Sequence, residues 1–247
     1  GAVGAPRLRA TDLSLAVASG IGGLHGVSFT VRGGEIYGVA GVAGNGQGAL
    51  AAVLAGIASA DGGGLEIDGS KQGPGPANRA VIPEDRYRYG LAAGMGVADN
   101  HAVHAVLAGR HGGWWRLDRS GMRRAAATAI KSYDVQGVRS LAQRAALLSG
   151  GNAQKLVIAR EFGEDPAVVL AHSPSRGLDV RAGAAVHDRL RAARDRGAAV
   201  VLISEDLDEI MLLADRIGVL NRGRIVAEFD QPADRAQIGA AMVAHDD

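Results

Sequence analysis

The chain has 247 residues, of which 47% are hydrophobic and 21% are charged, as in an ordinary globular domain. Its 27 basic and 26 acidic residues give a net charge of +1, which excludes a strong electrostatic case for nucleic acid as the main partner. There is no cysteine, so disulfides, thiolate metal sites and cysteine nucleophiles are excluded. Apolar runs such as 198–203 are too short for the roughly 20 residues that a membrane helix needs.

The first third of the chain predicts an antiparallel pair of strands followed by a buried strand. Residues 8–17 and 27–31 alternate enough in polarity to form strands of an antiparallel sheet. Residues 35–40 are mostly apolar and end at a cluster of glycines, which is typical of a buried strand. A helix is predicted for 49–54, and further short strands for 65–68 and 80–82. Because the first residue is glycine rather than methionine, we expect the chain to be a piece of a longer protein.

Residues 84–155 have a different texture and predict a helical insert without a clear strand. Helices are expected at 97–107 and 122–132, with Ser120 as the N-cap of the second. The loop between them contains Trp114 and Trp115, which either pack within the insert or dock on a membrane partner.

After Lys155 the chain alternates between helices and strands. The predicted helices are 156–162, 181–194, 207–214 and 233–243, and the predicted strands are 168–171, 198–204, 217–220 and 224–229. Such alternation argues for an α/β fold with a mostly parallel sheet covered on both faces.

The glycine loop (residues 41–48) lies between a predicted strand and a predicted helix, where backbone N–H groups and the helix dipole can bind an anion. The phosphate-loop pattern G-x-x-x-x-G-K-S/T fits Gly41 and Gly46. However, Gln47 occupies the position of its lysine and Gly48 the position of its hydroxyl residue.

Two other interpretations of the glycine loop remain open at this point. The dinucleotide pattern G-x-G-x-x-A is met by Gly44, Gly46 and Ala49, with Glu66 about 20 residues further on. A tight turn without any ligand is the third interpretation. The loop alone favours none of the three.

Three further motifs follow along the chain. The signature segment (residues 149–152, Ser-Gly-Gly-Asn) offers a hydroxyl, unobstructed backbone N–H groups and a helix start, which suits a second anion site. Residues 174–179 and 204–209 directly follow the predicted strands 168–171 and 198–204. The C-terminal ends of parallel strands are where such sheets bind ligands.

The order of these motifs resembles the ATP-binding cassette (ABC) ATPases of membrane transporters. The amino-acid sequence is most similar to the second, C-terminal cassette of bacterial importers for sugars and nucleosides. The residues that carry this similarity are 41–48, 83–86, 149–152, 174–179 and 204–209. The resemblance implies a P-loop NTPase (RecA-like) core at 1–83 and 155–247 that carries an N-terminal antiparallel β subdomain. It implies an α-helical subdomain at 84–154, and ATP with Mg²⁺ as cofactors.

The sequence departs from a working cassette at most positions that phosphoryl transfer needs. Besides Gln47 and Gly48, the metal-binding Asp and catalytic Glu of the family align with His172 and Ser173. The glutamine that senses metal and membrane subunit aligns with Glu84, and the histidine that contacts the γ-phosphate aligns with Glu205. The adenine-stacking aromatic is missing from 15–21. His172 is otherwise read as a buried, satisfied histidine rather than a metal ligand, and no metal site is predicted.

The signature segment is intact, and in this family it contacts ATP held by the opposite cassette. We therefore expect a degenerate cassette that is inactive alone and that binds ATP and Mg²⁺ weakly or only at a composite site. Asp179 is either an interface residue or a local helix cap. The candidate site residues are Gly41, Gly44, Asn45, Gly46, Gln47, Gly48, Glu84, Ser149, Gly150, Gly151, Asn152, His172, Ser173, Asp179 and Glu205.

The expected partners are a second cassette in the same natural chain, transmembrane permease subunits and, indirectly, an extracellular substrate-binding protein. The expected location is the cytoplasmic face of the cell membrane. Two alternatives remain: a pseudo-ATPase scaffold that never binds nucleotide, and an NAD(P)-dependent oxidoreductase based on the dinucleotide pattern of the glycine loop.

Overall fold

The computed structural model describes residues 3–17, 22–72, 79–112, 116–163 and 165–244. Trp114 and Trp115 lie outside the described residues. The strands are β1 Pro6–Leu15, β2 Leu24–Arg32, β3 Glu35–Ala40, β4 Gly62–Ile67, β5 Ser70–Gln72, β6 Arg79–Ile82, β7 Val168–His172, β8 Ala199–Ser204, β9 Arg216–Asn221 and β10 Arg224–Asp230. The helices are α1 Gln47–Leu54, α2 Val97–Leu107, α3 Arg119–Ser132, α4 Gly150–Glu161, α5 Val180–Asp195, α6 Leu207–Leu213 and α7 Arg235–Val243.

The chain divides into two compact units. The first comprises Gly1–Val81, Pro166–Pro174 and His187–Asp247, and the second comprises Ile82–Asp165 and Ser175–Val186. Within the described ranges, no helix combines the length and the apolar character that crossing a membrane requires.

A six-stranded sheet has the order β10-β9-β3-β8-β7-β6. The pairs β9–β3, β3–β8 and β8–β7 are parallel, whereas β10 pairs antiparallel with β9. Every residue of β3 and β8 is buried, as expected for near-continuous apolar strands in the middle of a parallel sheet. The predicted α/β class with a mostly parallel sheet is confirmed.

The second sheet is antiparallel, with the order β2-β1-β4-β5. It contains both predicted N-terminal strands, and β1 pairs with β2 from Leu15 opposite Leu24 to Pro6 opposite Arg32. Glu66 lies in this sheet, opposite Arg9. The strand that follows α1 is thus not a parallel neighbour of β3, as a dinucleotide-binding βαβ unit would require. The oxidoreductase alternative is therefore wrong.

Aromatic and charged side chains join the two sheets in one core within the first unit. Tyr37 on β3 stacks on Phe29 of β2 with 4.9 Å between ring centroids. Arg216 lies over the Tyr37 ring at 4.6 Å and donates to Glu35 at 2.9 Å. The Tyr37 hydroxyl donates to Glu228 at 2.6 Å, and burial raises the pKa of this phenol. The one polar atom of the buried Tyr37 side chain, its hydroxyl oxygen, is thus hydrogen-bonded.

The second unit contains helices α2, α3 and α4 around a small apolar cluster of Leu91, Val97, Val135, Ala145, Leu148, Ala153, Leu156 and Val157. The predicted N-cap Ser120 is wrong, because α3 begins at Arg119 and Asp118 caps it by accepting from the Gly121 N–H at 2.8 Å. The carboxylate of Asp118 reaches this amide, whereas the Ser120 hydroxyl lies inside the first turn and accepts from Arg124 at 2.6 Å.

Helix α4 also differs from its prediction. It begins at Gly150 rather than at residue 156, and Ser149 precedes it in an extended conformation with φ −64° and ψ 157°. The signature segment is therefore the first turn of this helix.

Candidate functional site

The glycine loop follows β3 directly and opens α1. Gly44 and Gly46 have φ values of 86° and 109°, a region that favours glycine. A Cβ on Gly46 would lie 2.8 Å from the Gly23 carbonyl oxygen, so this position also requires the absence of a side chain. Gly46 accepts from the Leu50 N–H at 2.9 Å and so starts the helix. The backbone is shaped as an anion-binding turn before a helix start.

The side chain of Gln47 folds back across the glycine loop. It is only 3% exposed, and its Nε2 donates to the Val42 carbonyl at 2.8 Å. A Cβ on Gly41 would lie 2.8 Å from the same nitrogen. Gln47 thereby holds the loop closed as a lysine at this position could, but it supplies no positive charge.

Gly48 lies one residue further along the loop and is exposed. A Cβ added there would contact none of the described atoms within 4 Å. The position has room for a metal-binding hydroxyl, but the sequence provides none.

Asn45 ties the glycine loop to the turn between β9 and β10. Its carbonyl accepts from the Gly223 N–H at 2.9 Å, and its Oδ1 accepts from the Arg222 N–H at 3.2 Å. The Gly223 carbonyl in turn accepts from the His25 N–H at 2.8 Å. The loop is therefore fixed by protein contacts and needs no ligand for its shape.

The neighbouring strands bring further predicted residues to the same sheet edge. Ala40 at the end of β3 lies opposite Ser204 at the end of β8, so Gly41 and Glu205 follow adjacent strand ends. His172 ends β7, and the Ser173 N–H donates to the Ile203 carbonyl at 2.8 Å. The parallel sheet thus places the glycine loop, 172–173 and Glu205 at one edge.

His172 is half-buried and neutral at physiological pH. Burial lowers the pKa of its imidazole, and nearby Glu205 opposes this shift only in part. Neither His172 nor Ser173 supplies the carboxylate that a metal or an attacking water would need at the end of β7. Among the residues that the structure describes, no group of three His, Cys, Asp or Glu side chains could hold a metal ion.

A buried polar network behind Glu205 is absent from our predictions. Glu209 is 4% exposed and accepts from the Ser204 hydroxyl at 2.7 Å, while the His187 Nε2 lies 2.9 Å from its other oxygen. Asp206 caps α6 by accepting from the backbone N–H groups of residues 208 and 209. Ser204 and Asp206 flank Glu205, so this network fixes the backbone there. Only Asp206 carries a recognisable sequence signal, as an N-cap residue.

The first unit does not fit Mg-ATP. The glycine loop is filled by a neutral amide and lacks a hydroxyl, and neither His172 nor Ser173 at the end of β7 offers a carboxylate. The exposed carboxylate of Glu205 adds negative charge at the same sheet edge. The backbone of the loop suits an anion, but the side chains that should neutralise a triphosphate and bind its metal are replaced.

The signature segment lies in the second unit and is exposed at Ser149. The Asn152 side chain accepts from the Gln136 N–H at 2.7 Å and donates to the Ser149 Oγ at 2.9 Å. Since Oγ accepts this bond, its own proton remains to donate outward. Within the described part of the chain, Ser149 makes no side-chain bond to the helix N–H groups. The start of α4 thus presents a fixed hydroxyl and backbone N–H groups together.

Glu84 and Asp179 also lie in the second unit. Glu84 forms an ion pair with Arg176, a partner that our sequence analysis does not predict because the two are far apart in the chain. Asp179 is exposed, and its Oδ1 accepts from the Ala182 N–H at 2.8 Å at the start of α5. The cap interpretation of Asp179 is therefore confirmed, and its interface role stays a prediction.

Residues 24–176 match the family model described as ABC transporter. The chain belongs to the ABC transporter family.

Relatives with assigned roles are similar over nearly the whole chain. It is 40% identical to the glucose import ATP-binding protein of Haloferax volcanii, over 100% of this chain and 46% of that protein. It is 38% identical to the nucleoside import ATP-binding protein of Lactococcus lactis, over 96% of this chain and 48% of that protein. A ribose import ATP-binding protein of Streptomyces avermitilis is 36% identical over 88% of this chain and 43% of its own length. The chain spans about half the length of these relatives.

Solved structures share the fold. The ATP-binding subunit of an ABC transporter superposes with a TM-score of 0.75 at 24% identity, covering 96% of this chain and 95% of that one. A dimeric ATP-binding cassette bound to ADP and phosphate gives a TM-score of 0.75 at 18% identity, covering 92% of this chain and all of that one. The predicted P-loop NTPase cassette fold is confirmed.

Proposed function

We propose that this chain is a nucleotide-binding cassette of an importer for simple sugars or nucleosides. In this proposal it is the catalytically degenerate half, which completes the ATP site of a partner cassette. One contrast carries the proposal. The glycine loop is filled by the uncharged Gln47 side chain, whereas the signature segment keeps an exposed Ser149 held by Asn152.

The comparisons support the transported class and the partners. The relatives are named for glucose, nucleoside and ribose import, and this chain corresponds to about half of each. We therefore propose a second cassette in the same natural chain, permease subunits in the membrane and an extracellular substrate-binding protein. The location proposed is the cytoplasmic face of the membrane. Mg-ATP is held by the partner's loop, and residues 84–154 form the helical subdomain.

The ATP of the partner cassette would be closed over by the start of α4. The Ser149 hydroxyl and the helix N–H groups donate to phosphate oxygens, and each charge-assisted bond contributes about 1.5–3 kcal/mol. In this proposal, Asp179, His172 and Ser173 make no catalytic contribution to this chain's own site.

The test compares two substitutions in the full natural chain assembled with its permease. Ser149→Arg adds bulk and removes the hydroxyl, so we expect ATP hydrolysis to fall about 100-fold or more. Gln47→Ala changes only the filled loop, so hydrolysis should stay within about twofold. The opposite pattern, with loss of hydrolysis on Gln47→Ala alone, would show that the working site is this chain's own.

The scaffold alternative, in which no nucleotide is bound at any stage, is favoured by one observation. The Gln47 amide occupies the place where a phosphate-binding lysine would act. Photo-crosslinking of labelled azido-ATP to the full chain separates the two functions. Labelling of residues in this chain that is lost on Ser149→Arg supports the composite site, and labelling confined to the partner cassette supports the scaffold.

A further inference from the structure

The 84–87 segment, Glu-Asp-Arg-Tyr, contacts both the signature segment and the 176–179 loop within the second unit. Asp85 accepts from the Tyr87 and Arg88 N–H groups at 3.1 and 3.0 Å and so starts a five-residue π-helical turn, Arg86–Gly90. This cap fixes the direction in which the side chains of Arg86 and Tyr87 leave the backbone.

The Arg86 guanidinium lies between the signature segment and the 176–179 loop. Its Nη1 donates to the Arg176 carbonyl at 3.1 Å. Its Nη2 lies 2.8 Å from the position that a Cβ on Gly150 would take, and 3.4 Å from that of a Cβ on Gly177. The glycines at 150 and 177 therefore leave the space that this side chain fills.

Two further contacts surround Arg86. Glu84 forms its ion pair with Arg176, the residue whose carbonyl Arg86 binds. On the other side, the Tyr87 hydroxyl donates to the Leu148 carbonyl at 2.7 Å, directly before Ser149. Residues 84–87 thus contact both the start of the signature segment and the 176–179 loop, which are separate in the sequence.

We propose that Arg86 is a positioning residue that joins the signature segment to the 176–179 loop, so that both present one surface to a partner. Glu84 and Tyr87 act with it. Glu84, the position that aligns with the family's metal-sensing glutamine, is thereby connected to the surface offered to the partner. The effect on hydrolysis rests on the proposed function, whereas the coupling of the two segments does not.

The coupling is measured directly by hydrogen exchange on the full natural chain. The reporting amides are those of Ala153, bonded to the Ser149 carbonyl at 2.8 Å, and Leu178, bonded to the Ser175 carbonyl at 3.1 Å. Arg86→Ala removes a charged donor, so exchange should rise about tenfold at both amides together. Arg88→Ala is the matched control, because that guanidinium lies over the neighbouring Tyr89 ring and should leave both rates unchanged.

Two exchange patterns of the Arg86→Ala variant would overturn the proposal. One is a rise in exchange at only one of the two amides. The other is an equal rise across α2, which would mean general loosening of the second unit. If Arg86→Ala fails to fold, the same measurement is made on variants in which the charges of Glu84 and Arg176 are swapped. Glu84→Arg and Arg176→Glu should each raise exchange at both amides by up to about fivefold, and the double variant should restore it. A double variant no better than either single variant also contradicts the proposal.

Hydrolysis by the assembled transporter supplies the second measurement. Arg86→Ala should lower kcat about tenfold and leave the KM for Mg-ATP within about twofold, because the partner's loop binds nucleotide without this surface. If Ser149→Arg leaves hydrolysis unchanged, the proposed composite site fails, while the exchange result for Arg86 remains decisive for the coupling. If Ser149→Arg abolishes hydrolysis and Arg86→Ala does not alter kcat, the positioning role is refuted.

Discussion

Replacing Gln47 by lysine should restore part of the phosphate affinity of the glycine loop. Gln47 is 3% exposed and its Nε2 lies 2.8 Å from the Val42 carbonyl oxygen. A lysine side chain is one atom longer, and its ammonium has three donors, so it can keep this bond and still reach a phosphate. The shape of the loop is already fixed by Asn45, so no reorganisation is required.

The magnitude follows from two opposing contributions. A charge-assisted bond to phosphate contributes about 1.5–3 kcal/mol, which corresponds to roughly 10- to 150-fold in Kd. Placing an ammonium group at a position as enclosed as Gln47 costs part of this gain. We therefore expect the low end, about tenfold tighter binding.

Titration calorimetry of ATP against the purified chain measures this change at low and high salt. The matched control is Gln237→Lys, which adds the same charge on the exposed surface of α7. A general charge effect would tighten binding equally in both variants and weaken equally with salt. Equal affinities for the two variants would refute the reasoning that the missing charge limits the glycine loop.

Three further outcomes are expected of the chain itself. Without a partner it should show no Mg²⁺-dependent phosphate release above about 1 per second, the low end of enzyme turnover. Gly218→Ala should lower the free energy of unfolding by about 1–3 kcal/mol in urea titrations, since the new Cβ would overlap the Tyr37 hydroxyl, whereas Gly239→Ala has open space and should be neutral or slightly stabilising. Because burial lowers the His172 pKa, the unfolded chain binds this proton more readily, and stability should fall as pH drops below about 6.5. His172→Gln should flatten this fall, and His25→Gln, which is exposed, should not.

Elements with strong local signals could be predicted from the sequence. The strand at 35–40 and the helix at 97–107 have the predicted bounds, because apolar runs and a clear helical pattern mark their ends. The sequence predicts the start of α4 six residues too late, since Gly150 and Gly151 have poor helix propensity and only the packing of the helix compensates for it. The N-cap of α3 was misplaced by two residues because serine and aspartate both suit that role.

The candidate site divides in the same way. The sequence alone shows that Gln47 and Gly48 cannot neutralise a triphosphate, because neither residue carries a positive charge. The conformation of Gln47, folded onto the Val42 carbonyl, depends on the three-dimensional path of the loop. The pairing of Glu84 with Arg176 likewise joins residues that no local pattern connects. Sequence reasoning therefore identifies what the site lacks, and the structure identifies what the replacements do.

The bonds of Asn45 to the β9–β10 turn bear on which changes in chain length this protein can tolerate. The glycine loop binds the 222–223 turn through Asn45. The turn in turn binds the backbone of His25 at the start of β2. Deleting or lengthening the loop by one residue would break these backbone bonds at once, whereas exchanging its phosphate-binding side chains leaves them in place. Side chains of the loop could thus change one by one while insertions and deletions in the loop remained unacceptable. A phosphate loop without its lysine can persist at full length for architectural reasons alone.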